Sequence, residues 1–224
     1  ASHAYIQRLL TRITILLGEN DTEVTQNCLH VVEYLLRRYE IHRHLMEDFV
    51  WTFFPYHQQL TNVWHRCLLL VDLASHPSYL WLRPYADANR PAPTPRPLCA
   101  RSVTHEIPLL RRLVSLVRKT AREAAMEVDD PSTPLRGWSH VFSWTAAYLV
   151  DGLVWQQQEA KMDREAVARI LVPAVRLALQ GETEDYSSWG CVVASTMTEC
   201  LDLSTTVLAQ WGRALLGNAS IEPA

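Results

Sequence analysis

The segment Arg164-Glu165-Ala166-Val167-Ala168-Arg169-Ile170-Leu171-Val172-Pro173-Ala174-Val175-Arg176-Leu177-Ala178 sets the pattern that the rest of the chain repeats. Its residues Val167, Ile170, Leu171, Ala174 and Ala178 recur three and four positions apart, the spacing of one helical face and not the alternation of a strand. The same spacing joins Trp138, Val141, Phe142, Thr145, Leu149 and Leu153 before it, and Trp189, Val192, Val193, Thr196 and Cys200 after it. A last stripe, Val207, Leu208, Trp211 and Leu215, follows Ser204, whose hydroxyl suits a helix cap. Four helices joined by short polar turns are predicted here, with a kink or break at Pro173.

Toward the N-terminus the stripes are shorter and more interrupted. Ile6, Leu9, Leu10, Ile13, Leu16 and Leu17 form one, with Gly18 as its predicted stop. Asp21 or Thr22 caps a second helix whose face is Val24, Cys28, Val31, Leu35 and Leu36. A third runs from about Leu45 to Phe54 and ends before Pro55, because the residue preceding proline avoids helical geometry. Leu60, Val63, Trp64, Cys67, Leu68 and Val71 mark a fourth, and helical spacing resumes at Ile107, Leu110, Val114, Val117 and Ala121. Between Pro84 and Pro97, prolines at 91, 93, 95 and 97 alternate with other residues, so this stretch reads as a linker or an extended strap. Val128 to Gly137, with Asp129-Asp130-Pro131-Ser132, reads as an exposed loop and a boundary. The chain thus divides into residues 1–127, carrying the strap at about 84–97, and residues 138–224. The expected fold is all-α, an α-solenoid of antiparallel helical hairpins of degenerate HEAT or armadillo type, since a lone hairpin cannot cover its apolar face.

Composition agrees with a folded helical protein. The 224 residues are 48% hydrophobic and 20% charged, and only seven are glycine. No run of about 18 apolar residues is present, so no membrane span is expected. Ala1-Ser2-His3-Ala4 has neither an initiator methionine nor a secretory pattern, and the chain reads as a piece of a longer protein. Five scattered cysteines without a CxxC pair read as buried, reduced thiols of a cytosolic or nuclear protein.

The net charge of −3 conceals an asymmetry. Arg37 to Arg122 holds 13 basic and 6 acidic residues, a balance of +7, whereas Met126 to the end holds 6 basic and 13 acidic, a balance of −7. The basic part is suited to phosphate or to an acidic protein surface. Of the 21 basic residues 19 are arginine, the side chain that meets carboxylate and phosphate in bidentate fashion.

Enzyme signatures are missing. The sequence has no GxxxxGK[ST] phosphate loop, no GxGxxG turn, no HExxH helix and no GxSxG elbow. Histidines and cysteines do gather, as Cys28 with His30, His42 with His44, and His57 with His65 and Cys67. Helical positions two apart point to different faces, so no metal site is expected from them, and no cofactor. His57, after Pro55-Tyr56, is expected to fix the turn between two helices by a hydrogen bond. A catalytic use of His42, Glu47, Asp48 and His57 lacks a nucleophile and base at productive spacing.

The candidate partner-binding residues are Arg37, Arg38, Arg43, Trp51, Tyr56, Trp81, Arg83 and Tyr85. Arg37 and Arg38 have two readings, as cations favouring the negative end of a helix dipole and as contacts to a partner. Most of the eight tryptophans lie in apolar stripes. Trp81, among prolines with Tyr79 and Tyr85, and Trp51, beside Phe53 and Phe54, are the two that read as anchors for a partner.

Several blocks in one order carry a resemblance: Arg37-Arg38 after a leucine-rich helix, Ile41-His42, Pro55-Tyr56-His57, Trp81-Leu82-Arg83-Pro84 and Pro95-Arg96. Over Cys28 to Arg96 the chain resembles the N-terminal region of the very large HEAT-repeat proteins associated with U3 small nucleolar RNA. Arg83-Pro84-Tyr85 and the four-proline run depart from that family's pattern. The resemblance implies a non-catalytic α-solenoid scaffold of the small-subunit processome, within its UtpA subcomplex. The implied partners are WD40 β-propeller proteins of UtpA, with contact to pre-rRNA or the U3 snoRNP, in the nucleolus of the nucleus. The work implied is on the 5′ external transcribed spacer, toward 18S rRNA and coupled to RNA polymerase I. The competing reading is a HEAT or armadillo adaptor that binds peptides or small GTPases in transport or signalling.

Overall fold

Local chemistry starts and stops the helices. The Asp21 carboxylate accepts from the backbone N–H groups of Glu23 and Val24 at 2.8 and 3.0 Å, so Asp21 is the cap of its helix. Asp163 does the same for Ala166 at 3.0 Å, and the Ser204 hydroxyl accepts weakly from Val207 at 3.4 Å. The computed structural model describes residues 2–87, 93–128, 137–159, 163–181 and 183–219. Among them the fold is all-α, with no strand. The expected loop at Val128–Gly137 falls mostly outside the described residues, as do residues 88–92 of the expected strap.

The helices are α1 (Ser2–Leu16), α2 (Thr22–Tyr39), α3 (Ile41–His44), α4 (Met46–Phe53), α5 (Thr61–Leu70), α6 (Arg96–His105), α7 (Ile107–Val128), α8 (Trp138–Glu159), α9 (Arg164–Leu179), α10 (Glu184–Cys200) and α11 (Thr205–Ala219). Short 3₁₀ segments lie at Leu17–Glu19, Phe54–Tyr56, Leu73–Ser75 and Pro77–Tyr85. The chain forms two compact units, Ala1–Pro95 with Asp130–Val141, and Arg96–Asp129 with Phe142–Ala224. No described helix is long and apolar enough to cross a membrane.

In the first unit, α1 packs on α4 and on α2, and α4 packs on α5. Its core holds Leu10, Ile13, Ile41, Phe49, Phe53, Tyr56 and Trp64, each no more than 2% exposed. A buried side chain of this size contributes about 1.5–3 kcal/mol, and this core is dense in them. Gly18 is not the left-handed stop of α1. That conformation belongs to Asn20, at φ 58°, while Gly18 sits where a Cβ would meet the Gly137 carbonyl oxygen at 2.4 Å. On α2 the buried face is Cys28, Val32 and Leu35, with Val31 turned outward.

In the second unit, α9 packs on α10, α7 and α11, and α6 packs on α7. Most of the α8 and α9 stripes are buried, with Leu149, Leu153, Leu171 and Ala178 no more than 1% exposed, whereas Ile170 is half-buried. Val192, Leu208 and Leu215 are instead more than 40% exposed. α9 runs unbroken through Pro173. Pro173 and Arg169, the residue whose carbonyl loses its partner, both lie on the exposed face, while Leu171, Ala174 and Val175 hold the other face in the core. The strap also gives way at its two ends. Pro84 lies inside a 3₁₀ segment that runs on to Tyr85, and Arg96-Pro97 opens α6, where a first-turn proline lacks only an N–H that has no helical partner.

Candidate partner-binding surfaces

The outer side of α2 gathers groups that a helix normally keeps apart. With Cys28, Val32 and Leu35 inward, the helix presents Val31, Tyr34 and Tyr39 to solvent, the two tyrosines at 58% and 49% exposure. Their rings meet edge to face at 6.2 Å. Arg37 and Arg38 occupy the last turn beside them, and both are exposed. Arg37 pairs with Glu33 one turn earlier, an exposed contact of the kind worth about 0–1 kcal/mol. Glu40 then takes the left-handed conformation at φ 47°, and its backbone N–H donates to the Leu36 carbonyl at 3.1 Å. Its carboxylate accepts from Arg43 on α3 at 3.3 Å, which anchors that arginine to the same junction. Exposed tyrosine and arginine around a small apolar patch is the composition of an interface centre. Sequence spacing alone does not reveal these tyrosines, because Val31, their neighbour on this face, fits the inward stripe with Cys28 and Leu35 equally well.

Trp51 and Tyr56 do not belong to any surface. Trp51 is 5% exposed, donates its indole N–H to the Tyr79 hydroxyl at 2.9 Å and stands edge-on to Phe54 at 5.1 Å. Tyr56 is 1% exposed; its hydroxyl donates to the Thr14 carbonyl and its ring stacks on His140 at 4.7 Å. Both are amphipathic rings whose polar tips found partners inside the unit, so neither can anchor another molecule. Burial pushes the Tyr56 hydroxyl far up, and that of Tyr79 up to about 12, with the Trp51 hydrogen bond opposing. Trp81 is half-buried, bonded through its N–H to the Ser78 carbonyl at 2.9 Å, and its ring lies 6.3 Å from Phe54. Arg83 is exposed and Tyr85 half-buried at the end of the same 3₁₀ segment.

His57 serves the packing, whereas His30 and His44 are exposed. His57 is buried and stacks on Phe54 at 5.6 Å, with Trp64 beyond it at 6.1 Å; the turn is fixed by its backbone N–H, which donates to the Phe54 carbonyl at 3.2 Å. Asp48 accepts from Gln7 at 3.0 Å, and so is engaged with α1. His65 is hydrogen-bonded to the Asp87 carbonyl at 3.0 Å. Among the described residues no three His, Cys, Asp or Glu side chains converge as a metal would need. All five cysteines are free, four of them buried and Cys191 exposed. Burial alone pushes the Cys67 thiol up, and burial outweighs a backbone hydrogen bond at Cys99, so neither is disposed to form a reactive thiolate.

A second surface lies wholly in the second unit. α7 and α9 flank a groove in two stretches of about 500 and 480 Å³, and both stretches are lined by Arg118 and Arg122. Arg111 and Lys119 extend the cationic wall on α7, and Arg169 stands opposite on α9. Among the described residues no carboxylate lines either stretch. The +7 balance is the sequence signal for this groove, and the spacing of Arg111, Arg118 and Arg122 at seven and four residues sets them in one line along α7.

No protein-family model matches the chain, and no curated protein is significantly similar to it.

Proposed function

We propose that this chain is a non-catalytic helical scaffold that works by docking other proteins. The observation that carries the reading is the outer face of α2, where Tyr34, Tyr39, Arg37 and Arg38 are exposed together and Arg43 is held at the adjoining junction. An all-α chain of packed helices suits that work, because such arrays offer long surfaces and leave chemistry to their partners. The arrangement proposed is an α-solenoid of degenerate HEAT-like hairpins. The sequence blocks from Arg37-Arg38 to Pro95-Arg96 support its being the N-terminal region of a U3 snoRNA-associated HEAT-repeat subunit of UtpA. Its partners on that reading are WD40 propeller subunits in the nucleolus, with pre-rRNA or the U3 snoRNP as a second contact.

The test is affinity purification of the tagged chain from nuclear extract, with and without ribonuclease. Capture of UtpA propeller proteins that survives ribonuclease is the expected result. Capture that disappears with the RNA would replace protein docking by RNA contact. Capture of transport receptors in place of ribosome-assembly factors would favour the adaptor reading.

A further inference from the structure

The groove between α7 and α9 has a floor and a rim of different chemistry. Ile170, Pro173 and Leu177 follow one another at three and four residues on α9, and face Val114, Ala121 and Ala125 of α7 across the opening. Above this apolar floor run Arg111, Arg118 and Arg122, all exposed, and no described carboxylate forms an ion pair with any of the three. From Arg111 to Ala125 is 14 residues of helix, or about 21 Å at 1.5 Å per residue. At the far end the Thr183 hydroxyl, which lines the groove, is buried without a hydrogen-bond partner.

We propose that this groove holds an acidic amphipathic helix of a partner protein, about four turns long. Its apolar stripe lies against Ile170, Pro173 and Leu177, and its carboxylates meet Arg111, Arg118 and Arg122. Leu177 is 44% exposed in the free chain, so a large apolar side chain at the floor stands ready to be covered. Arginine is the cation that grips carboxylates in paired, planar hydrogen bonds. Single-stranded RNA would also seek the cations, but binding it well calls for exposed aromatic faces on which bases stack. The one aromatic ring among the described residues lining the groove, Tyr186, is 8% exposed and already stacked between Phe142 at 5.6 Å and Trp189 at 6.1 Å. An apolar floor without a free ring favours a peptide over a nucleic acid. This site stands on the second unit alone and does not depend on the α2 surface or on the family resemblance.

The experiment is fluorescence anisotropy of the whole chain with two labelled probes. One is a 16-residue helical peptide with Leu at i, i+3, i+7 and i+10 and Glu on both flanks; the other is a 12-nucleotide oligouridine. The peptide is expected to bind more tightly than the RNA, and both Arg118→Glu/Arg122→Glu and Leu177→Asp are expected to weaken it by about tenfold or more. Circular dichroism of each variant establishes that its helix content is unchanged, and Leu216→Asp, at a site 71% exposed on α11, is the surface control expected to bind as wild type. Tighter binding of the RNA, with Leu177→Asp without effect, would make the groove a phosphate-binding surface and overturn the proposal. Peptide binding unaffected by either groove variant, or absent altogether, would overturn it as well.

Discussion

Single side chains decide which apparent binding groups are in fact structural. Tyr56 is the clearest, because its hydroxyl donates to the Thr14 carbonyl inside the core of the first unit. Tyr56→Phe leaves that buried carbonyl unsatisfied and is expected to cost about 1–3 kcal/mol in urea unfolding without changing partner capture. His140, stacked on Tyr56, is held below its ordinary value of 6.5 by burial, with the hydrogen bond to the Pro55 carbonyl opposing. His42 is lowered too, first by burial and then by Arg43. The folded chain therefore refuses a proton that the unfolded chain accepts. Stability from these residues is full above pH 6.5 and is lost as pH falls through that value toward the lower folded one. Melting temperature should be level from pH 8 to 7 and decline below about 6.5, less steeply in His140→Gln. An equal decline in that variant would deny His140 the role. Trp51 and Tyr56 were illegible as core because sequence shows an aromatic ring but not the internal hydroxyl or carbonyl that waits for its polar tip. The Val31 and Val32 pair was illegible for a simpler reason: with Cys28 and Leu35 either valine completes a helical stripe, and only packing chooses.

At the scale of the element, caps and close approaches set the helices in place. Most helix positions were legible, since stripes at three and four residues, the Asp21 and Ser204 caps and the stop before the Pro55 turn are all local signals. α6 was not, because Pro95-Arg96-Pro97 reads as extended chain although a proline in a first turn costs no helical hydrogen bond. The continuity of α9 at Pro173 was missed because burial of Leu171, Ala174 and Val175 outweighs one lost bond on an exposed face. Gly152 on α8 marks a close approach to α6, where a Cβ would fall 2.4 Å from the Thr104 side chain and 2.7 Å from the Ala100 carbonyl oxygen. The same contact is pinned by Gln156, which donates to the Thr104 hydroxyl at 3.0 Å, and is flanked by Arg101 stacked over Trp155 at 3.8 Å. Gly152→Ala is expected to destabilise by about 1–3 kcal/mol through overpacking, although alanine is the better helix former. A melting temperature at or above wild type would show that α6 and α8 can separate freely. Asp21→Ala should cost about 1 kcal/mol, the ordinary loss of a helix cap.

For the whole molecule, function is written on surfaces. Burial and aromatic packing absorb His57, most of the cysteines and two of the eight proposed anchors, and leave the arginine-rich faces available. The all-α class was legible from periodicity, and the structure leaves Arg37, Arg38 and Arg43 exposed. The tyrosines beside them and the α7–α9 groove were not legible, since both depend on which helix face turns outward. The two surfaces differ in kind: a tyrosine and arginine patch on α2 suits a flat protein partner, and a groove with an apolar floor suits a segment. If docking through α2 is the work of this chain, its capture of partners should depend on that face and not on the fold at large. The decisive measurement is quantitative capture of ribosome-assembly proteins from ribonuclease-treated nuclear extract by wild type and by Arg37→Glu/Arg38→Glu/Arg43→Glu, with helix content matched by circular dichroism. The variant is expected to keep its helices and to lose UtpA propeller proteins by about tenfold or more, on the order of 1.4 kcal/mol. Equal capture by the two chains would contradict docking through α2.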